Sequence, residues 1–287
     1  MFEGKSWKVS RHVLLPDESY LHLFNLQNMD LQLKDKIIIV TGGAKGIGEG
    51  IVRLLAAEGA IAVIVGRNEN DNLKLVKELS SDKTEIFQVM AELNKPEESE
   101  KAVKKVIEKY GRIDGLVNNA GQNDGVGLEH GNYEKFMESL HKNLVHYYLI
   151  AHFALPELIK QKGSIVNITS KTAETGQGNT SAYAASNGGR NALTREWAVE
   201  LLKYSIRVNA IVVAESWTPQ YEKWIRTLPD AEEKLKEITS RIPLGKRMTT
   251  PEEIANMTAF LLSEKSGHTT GQLIHVDGGY VHLDRAL

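Results

Sequence analysis

The stretch IIIVTGGAKGIG, residues 37–48, restricts the fold more than any other part of the sequence. Four consecutive β-branched apolar residues suit a strand buried on both faces, which a parallel sheet covered by helices provides. The strand runs directly into TGGAKGIG, residues 41–48, and then into the helical pattern EGIVRLLAAEGA. Glycines at 42, 46 and 48 allow a tight turn and a close backbone approach, and the helix start beyond them offers free N–H groups and a partial positive charge. Gly42, Lys45, Gly46, Ile47 and Gly48 are therefore expected to cradle the pyrophosphate of a dinucleotide; the alternative is a purely structural turn.

Six more apolar runs follow at 61–65, 85–89, 113–117, 163–169, 206–213 and 272–276, separated by helical patterns. Seven strands alternating with helices predict a doubly wound α/β fold, with one seven-stranded parallel sheet and helices on both faces. The 287 residues suffice for one such domain, placed at 29–287 behind a flexible leader at 1–28. A formal charge of −2 gives no basic field for nucleic acid or anionic membrane, so a small-molecule substrate is expected. With no cysteine, disulfides and thiolate chemistry are excluded, and the nine histidines form no paired metal motif. No apolar run approaches a membrane span and no secretory pattern opens the chain, so a cytoplasmic location is expected.

The end of the second strand discriminates between nicotinamide cofactors. An acid there would bind the ribose 2′-hydroxyl, but this chain has Gly66 and then Arg67. Arg67 and Lys45 can pair with a 2′-phosphate, so NADP is favoured over NAD; the alternative for Arg67 is a solvated surface charge.

With TGGAKGIG at 41–48, NNAG at 118–121, Ser170 and Tyr183, the chain resembles the short-chain dehydrogenase/reductase family, over residues 33–280 or so. The resemblance implies a Rossmann-type domain and an NAD(P)-dependent oxidoreductase. It assigns the nicotinamide side of the site to Asn119, Ala120 and Gly121, and catalytic roles to Ser170, Tyr183 and Asn143. Thr218 falls where the family has a threonine beside the carboxamide, and Glu92 stands where an aspartate commonly contacts adenine. Val213 and Ala214 replace a common Pro-Gly. The segment VAESWTPQYEKW and the tail HVDGGYVHLDRAL are similar to the L-fucose dehydrogenase branch, which implies oxidation of an aldose C1 hydroxyl to a lactone, and to hydroxysteroid dehydrogenases.

Within TSAYAASNGG, residues 180–189, the sequence departs from that family. Its lysine, four residues after the tyrosine, supplies a cation on the same helix face. Here the position holds Asn187, an amide that can bond a ribose hydroxyl but carries no charge. An unassisted tyrosine with the reference pKa of ~10 is only about 0.3% phenolate at pH 7.5, so losing the cation can cost roughly 10²-fold in rate. Three accounts are open: a weakened enzyme, a working enzyme that compensates, or a nucleotide-binding protein without catalysis. The nearby cations are Lys171, expected to face substrate or solvent, and Arg190, expected at a subunit interface.

Residues 214–246 are expected to form a lid over the carboxyl ends of the strands, where ligands bind in such sheets. Trp217 and Tyr221 offer apolar faces for a pyranose, and Glu215, with Ser170 and Lys171, offers polar contacts. Trp217, Tyr221 and Trp224 are equally consistent with the buried face of a lid helix. Apolar residues around much of the helices at 132–160 and 181–203 lead to the expectation of a homo-oligomer, a dimer or tetramer.

Overall fold

Every one of the seven apolar runs becomes a strand. A computed structural model describes residues 29–81 and 84–283; the leader expected at 1–28 lies outside the described residues. The strands are β1 (Ile37–Thr41), β2 (Ile61–Gly66), β3 (Ile86–Met90), β4 (Gly115–Asn118), β5 (Ser164–Ser170), β6 (Arg207–Val213) and β7 (Leu273–Val276). They form one sheet in the order β3-β2-β1-β4-β5-β6-β7, and every neighbouring pair is parallel. β4 begins two residues later than the run at 113–117 suggests. The side chain of Asp114 is spent there on the N–H of Ile37, at 3.0 Å.

Alternate residues of each strand feed the two layers. Ile37 and Ile39 of β1 join Val63 and Val65 of β2 in the core beneath helices α3 (Pro96–Tyr110), α5 (His146–Gln161) and α6 (Ser181–Glu200). Ile38, Val40, Ala62 and Ile64 point the other way, against α1 (Gly46–Ala57), α2 (Glu69–Leu79) and α9 (Pro251–Leu262). A strand apolar on both sides is what this double covering requires. A short helix α4 (Tyr133–Leu140) leads into α5 through one π-helical turn, His141–Val145. Such turns open the i→i−4 ladder and expose carbonyls to other partners.

The lid expected at 214–246 contains two helices, α7 (Pro219–Ile225) and α8 (Ala231–Ser240). It is closed at its neck: Thr249 donates its N–H to the Glu215 carbonyl at 3.0 Å, and Ser216 and Thr249 form an isolated parallel bridge.

Arg207, at the start of β6, binds the end of α9. Its guanidinium donates to the carbonyls of Leu261 (2.5 Å), Leu262 (3.2 Å) and Ser263 (3.1 Å) and to Ser266 Oγ (2.7 Å). Leu261 and Leu262 end α9, where carbonyls run out of helical partners, and the negative end of the helix dipole favours the cation. Arg207→Met should lower unfolding stability by about 2–3 kcal/mol, measured by urea denaturation, because it strands hydrogen bonds to a charged group.

Candidate active site

The strand order reverses between β1 and β4, and their carboxyl ends diverge into the crevice where this architecture binds ligands. Gly42 leaves β1 with φ of +63°, a conformation that a side chain resists. A Cβ on Gly48 would lie 2.2 Å from the Gly42 carbonyl oxygen, so the turn closes only around glycine. Asn119, after β4, braces the turn by donating Nδ2 to the carbonyls of Thr41 (2.9 Å) and Gly42 (3.2 Å). The N–H groups of Asn119 and Ala120 both donate to Thr41 Oγ1, at 2.9 and 3.1 Å. Thr218, the N-cap of α7, packs beside Gly46, within 3.3 Å of the position its Cβ would take. Ile47 leans on the core, which leaves its backbone at the helix start for the cradle. This tight glycine turn at a helix N-terminus fits the pyrophosphate of a nicotinamide dinucleotide.

At the adenosine end, the two cations expected at a 2′-phosphate each face an acid. Lys45 pairs with Asp71 at 2.6 Å and Arg67 with Glu92 at 3.8 Å, all of them accessible to solvent. Exposed pairs of this kind exchange partners at little cost. The sequence reading missed Asn72, which is buried and donates to the Gly66 carbonyl at 3.1 Å, shaping the end of β2. Only its position on the inner face of α2 could have indicated this.

Ser170 ends β5, and its Oγ accepts the N–H of Thr172, capping a single 3₁₀ turn (Lys171–Ala173). The helix carrying Tyr183 packs directly on this turn, so the two expected catalytic hydroxyls come from adjoining elements. Asn143 lies in the π-helical turn and is fully buried. Its Oδ1 accepts the N–H of Gln122 at 2.7 Å, fixing the loop after β4.

Asn187 is also fully buried. Its Nδ2 donates to the Tyr183 carbonyl at 2.8 Å, and its Oδ1 accepts from Arg190 Nη1 at 3.0 Å. The amide is thus engaged with protein in this structure, rather than presented to a ribose. Arg190 departs from its expected place at a subunit interface, because it lies inside its own chain, 3% exposed, below the site. Its Nε donates to the Asn143 carbonyl at 2.5 Å, and its guanidinium lies 4.2 Å over the Tyr147 ring. Burial, reinforced by this cation, pushes the His146 imidazole down to about 3, and burial pushes the Tyr147 hydroxyl up.

Lys171 does not face solvent. It is buried, ion-paired with Glu215, and lies 4.0 Å over the Tyr280 ring. Tyr221 sits close by, its hydroxyl pushed up by burial and by Glu215. Trp217 and Trp224 flank Tyr221 at ring distances of 6.2 and 5.1 Å yet remain 41% and 44% exposed. α7 therefore buries Ile225, while the indoles of Trp224 on it and of Trp217 just before it stay accessible. Away from this cluster, Glu174, His275 and His282 gather their polar atoms within 4.8 Å, and Glu174 already bonds His275 at 3.0 Å.

A dinucleotide cradle at the switch point, with a serine, a tyrosine and an asparagine from three adjoining elements, defines a nicotinamide-dependent oxidoreductase of the doubly wound class. A family model described as enoyl-(acyl carrier protein) reductase matches residues 42–281. The 3-oxoacyl-(acyl-carrier-protein) reductase of Thermotoga maritima is 39% identical over 254 residues, covering 88% of this chain and 100% of that protein. The L-fucose dehydrogenase of Bos taurus is 34% identical over 252 residues, covering 88% and 91%. Among solved structures, the Cj0485 dehydrogenase superposes with a TM-score of 0.85 at 49% identity, over 90% of this chain and 99% of that one. The chain belongs to the short-chain dehydrogenase/reductase family, whose members use nicotinamide nucleotides.

Two outcomes follow from this geometry. Gly48→Ala should abolish nucleotide binding in calorimetric titration, because its Cβ meets the Gly42 carbonyl. His146 is neutral in the folded chain, whereas the unfolded chain takes up a proton below pH ~6.5. Stability should therefore fall by about 2 kcal/mol between pH 6.5 and 5 on this account, and the slope should shrink in His146→Gln.

Proposed function

We propose that the chain oxidises a hydroxyl of a small sugar, L-fucose or a similar aldose at C1 giving the lactone, with NADP as the preferred acceptor. Oxidation of another secondary alcohol, such as a hydroxysteroid, is the broader form of this reading. The observation that carries it is the buried Lys171–Glu215 pair, adjoining Ser170 and flanked by Tyr221 and the accessible face of Trp217. Carboxylate and ammonium groups beside an aromatic face suit the hydroxyls and the apolar face of a pyranose.

When bound, oxidised nicotinamide supplies a two-electron acceptor for hydride from the alcohol carbon. Tyr183 takes the hydroxyl proton as that hydride leaves, and the Ser170 hydroxyl bonds the same oxygen and steadies its charge. Asn119 and Thr41 hold the cradle, while Gly42 and Gly48 admit the pyrophosphate. Asn187 does not leave the centre without a cation, because the Arg190 guanidinium lies 3.0 Å from its amide oxygen. This supports a compensating enzyme over one weakened by Asn187.

Gly66, with no acid at the end of β2, and the exposed Arg67 support the NADP preference. Tyr148, Val199 and Leu202 are exposed on or just beyond α5 and α6, which supports a homo-oligomer through these helices. Among the described residues no helix is long and apolar enough to cross a membrane, in keeping with a cytoplasmic enzyme.

Calorimetric titration with NADP and NAD, followed by initial rates on an alcohol panel that includes L-fucose, tests this reading. Micromolar NADP binding, tighter than NAD, is expected. Arg67→Ala should weaken NADP roughly 10-fold and leave NAD unchanged. Binding without turnover of any alcohol would favour a silent nucleotide-binding protein; no binding of either nucleotide would overturn the enzyme.

A further inference from the structure

Tyr183, Asn187 and Arg190 stand at i, i+4 and i+7 on α6, a single stripe of the helix. Helical side chains lean toward the N-terminus, so the long arginine reaches back over Asn187 toward Tyr183. Four contacts fix it there: the carbonyls of Asn143 (2.5 Å) and Ile168 (3.3 Å), the Asn187 amide oxygen (3.0 Å) and the Tyr147 ring (4.2 Å). Each of these is neutral, and among the described residues no carboxylate pairs with it. A buried guanidinium without a counterion is costly, which calls for an anion that arrives during function.

The remaining edge of the guanidinium shows where such an anion would act. Nη2 is fully buried and has no hydrogen-bond partner. It lies 2.8 Å from the position of a Cβ on Gly121, in the loop after β4 that borders the cofactor crevice. Gly121 thus leaves room for the cation. Arg190 and Tyr183 also both act electrostatically on the Tyr147 hydroxyl, which donates to the same Ile168 carbonyl at 2.9 Å.

We propose that Arg190 is the charge partner of Tyr183: its guanidinium offsets the negative charge on the phenolate that accepts the substrate proton, and Asn187 is the positioning residue that aims it. The cation that the family places at i+4 is here supplied from i+7. An asparagine suits position 187 because its short amide can accept from the guanidinium, whereas a lysine would set a second positive charge beside it. In the reaction, the alcohol loses hydride to the oxidised nicotinamide nucleotide and its proton to the Tyr183 phenolate, leaving a carbonyl and a neutral tyrosine. The inference rests on the proposed oxidoreductase for its kinetic consequence, but not for its electrostatics.

The titratable groups that feel the guanidinium are His146 and Tyr147 of α5, and Tyr183 stands two turns back on its own helix. His146 stays neutral and Tyr147 is pushed up, which isolates Tyr183 as the group to follow. The first test is an absorbance titration of the protein without cofactor or substrate, with Tyr183→Phe subtracted to isolate one phenolate. Arg190→Met should shift that phenolate signal at least one unit to higher pH, and Arg190→Lys should restore part of the shift. An unchanged titration in Arg190→Met would overturn the proposal.

The second test uses Asn187→Lys, which also serves if Arg190→Met does not fold. Turnover at pH 7 should stay level or fall in this variant. A gain of roughly 10²-fold would overturn the proposal in favour of a simple missing lysine. In the double variant Asn187→Lys with Arg190→Leu, the cation returns to i+4, and the pH profile of kcat/KM should approach that of the parent. A wild-type protein that turns over no alcohol would sink the proposed function, while the titration would still decide the role of Arg190.

Discussion

Everything at the carboxyl edge of the sheet depends on the side chain of Asn119 reaching across from β4 to the carbonyls at the end of β1. Parallel strands that diverge leave unpaired backbone groups at their ends, and burial makes such groups costly. The amide of Asn119 satisfies two of them, and the Thr41 hydroxyl accepts two N–H groups in return. This stitch holds the glycine turn open at the width a dinucleotide needs. It also fixes the start of the loop that continues to Gly121, below which the guanidinium is packed. Nucleotide cradle and catalytic floor are therefore one mechanical unit.

The floor itself is built from departures from regular structure. The Asn143 carbonyl lies in the π-helical turn at His141–Val145, and Gly189 of α6 gives the Leu144 side chain room, a Cβ there lying 2.9 Å from its Cδ2. These two features bring Arg190 Nε to that carbonyl. An arginine on the inner face of a helix would ordinarily be a defect in the core. Here the surrounding carbonyls and the face of Tyr147 accommodate it without neutralising it.

Much of this was legible in the sequence. Strands buried on both faces write themselves as uninterrupted β-branched runs, so all seven were found to within two residues. The glycine turn was equally plain, because its three glycines stand between a buried strand and a helix start, where a dinucleotide cradle requires them. What the sequence could not reveal was which way long side chains point. Lys171 and Arg190 were both recognised as cations, yet whether Lys171 meets solvent or substrate stayed open and Arg190 was assigned to an interface. Both are buried, because their partners, Glu215 in one case and Asn143 with Ile168 in the other, lie far away in the chain. The same limit hid Asn72, and it left the exposure of Trp217 and Trp224 undecided, since helical spacing alone does not say which face is covered.

The parallel bridge between Ser216 and Thr249 has a corollary for how such enzymes diversify. Because entry and exit of the intervening segment are clipped together, its closure entropy is met at the neck and depends only weakly on the length between. Beyond Thr218, which packs beside Gly46 of the cradle, the segment behaves as a cassette that can be exchanged for one of different length and composition while the sheet keeps its geometry. Substrate range can then evolve by replacement of this single module, independently of the chemistry beneath it.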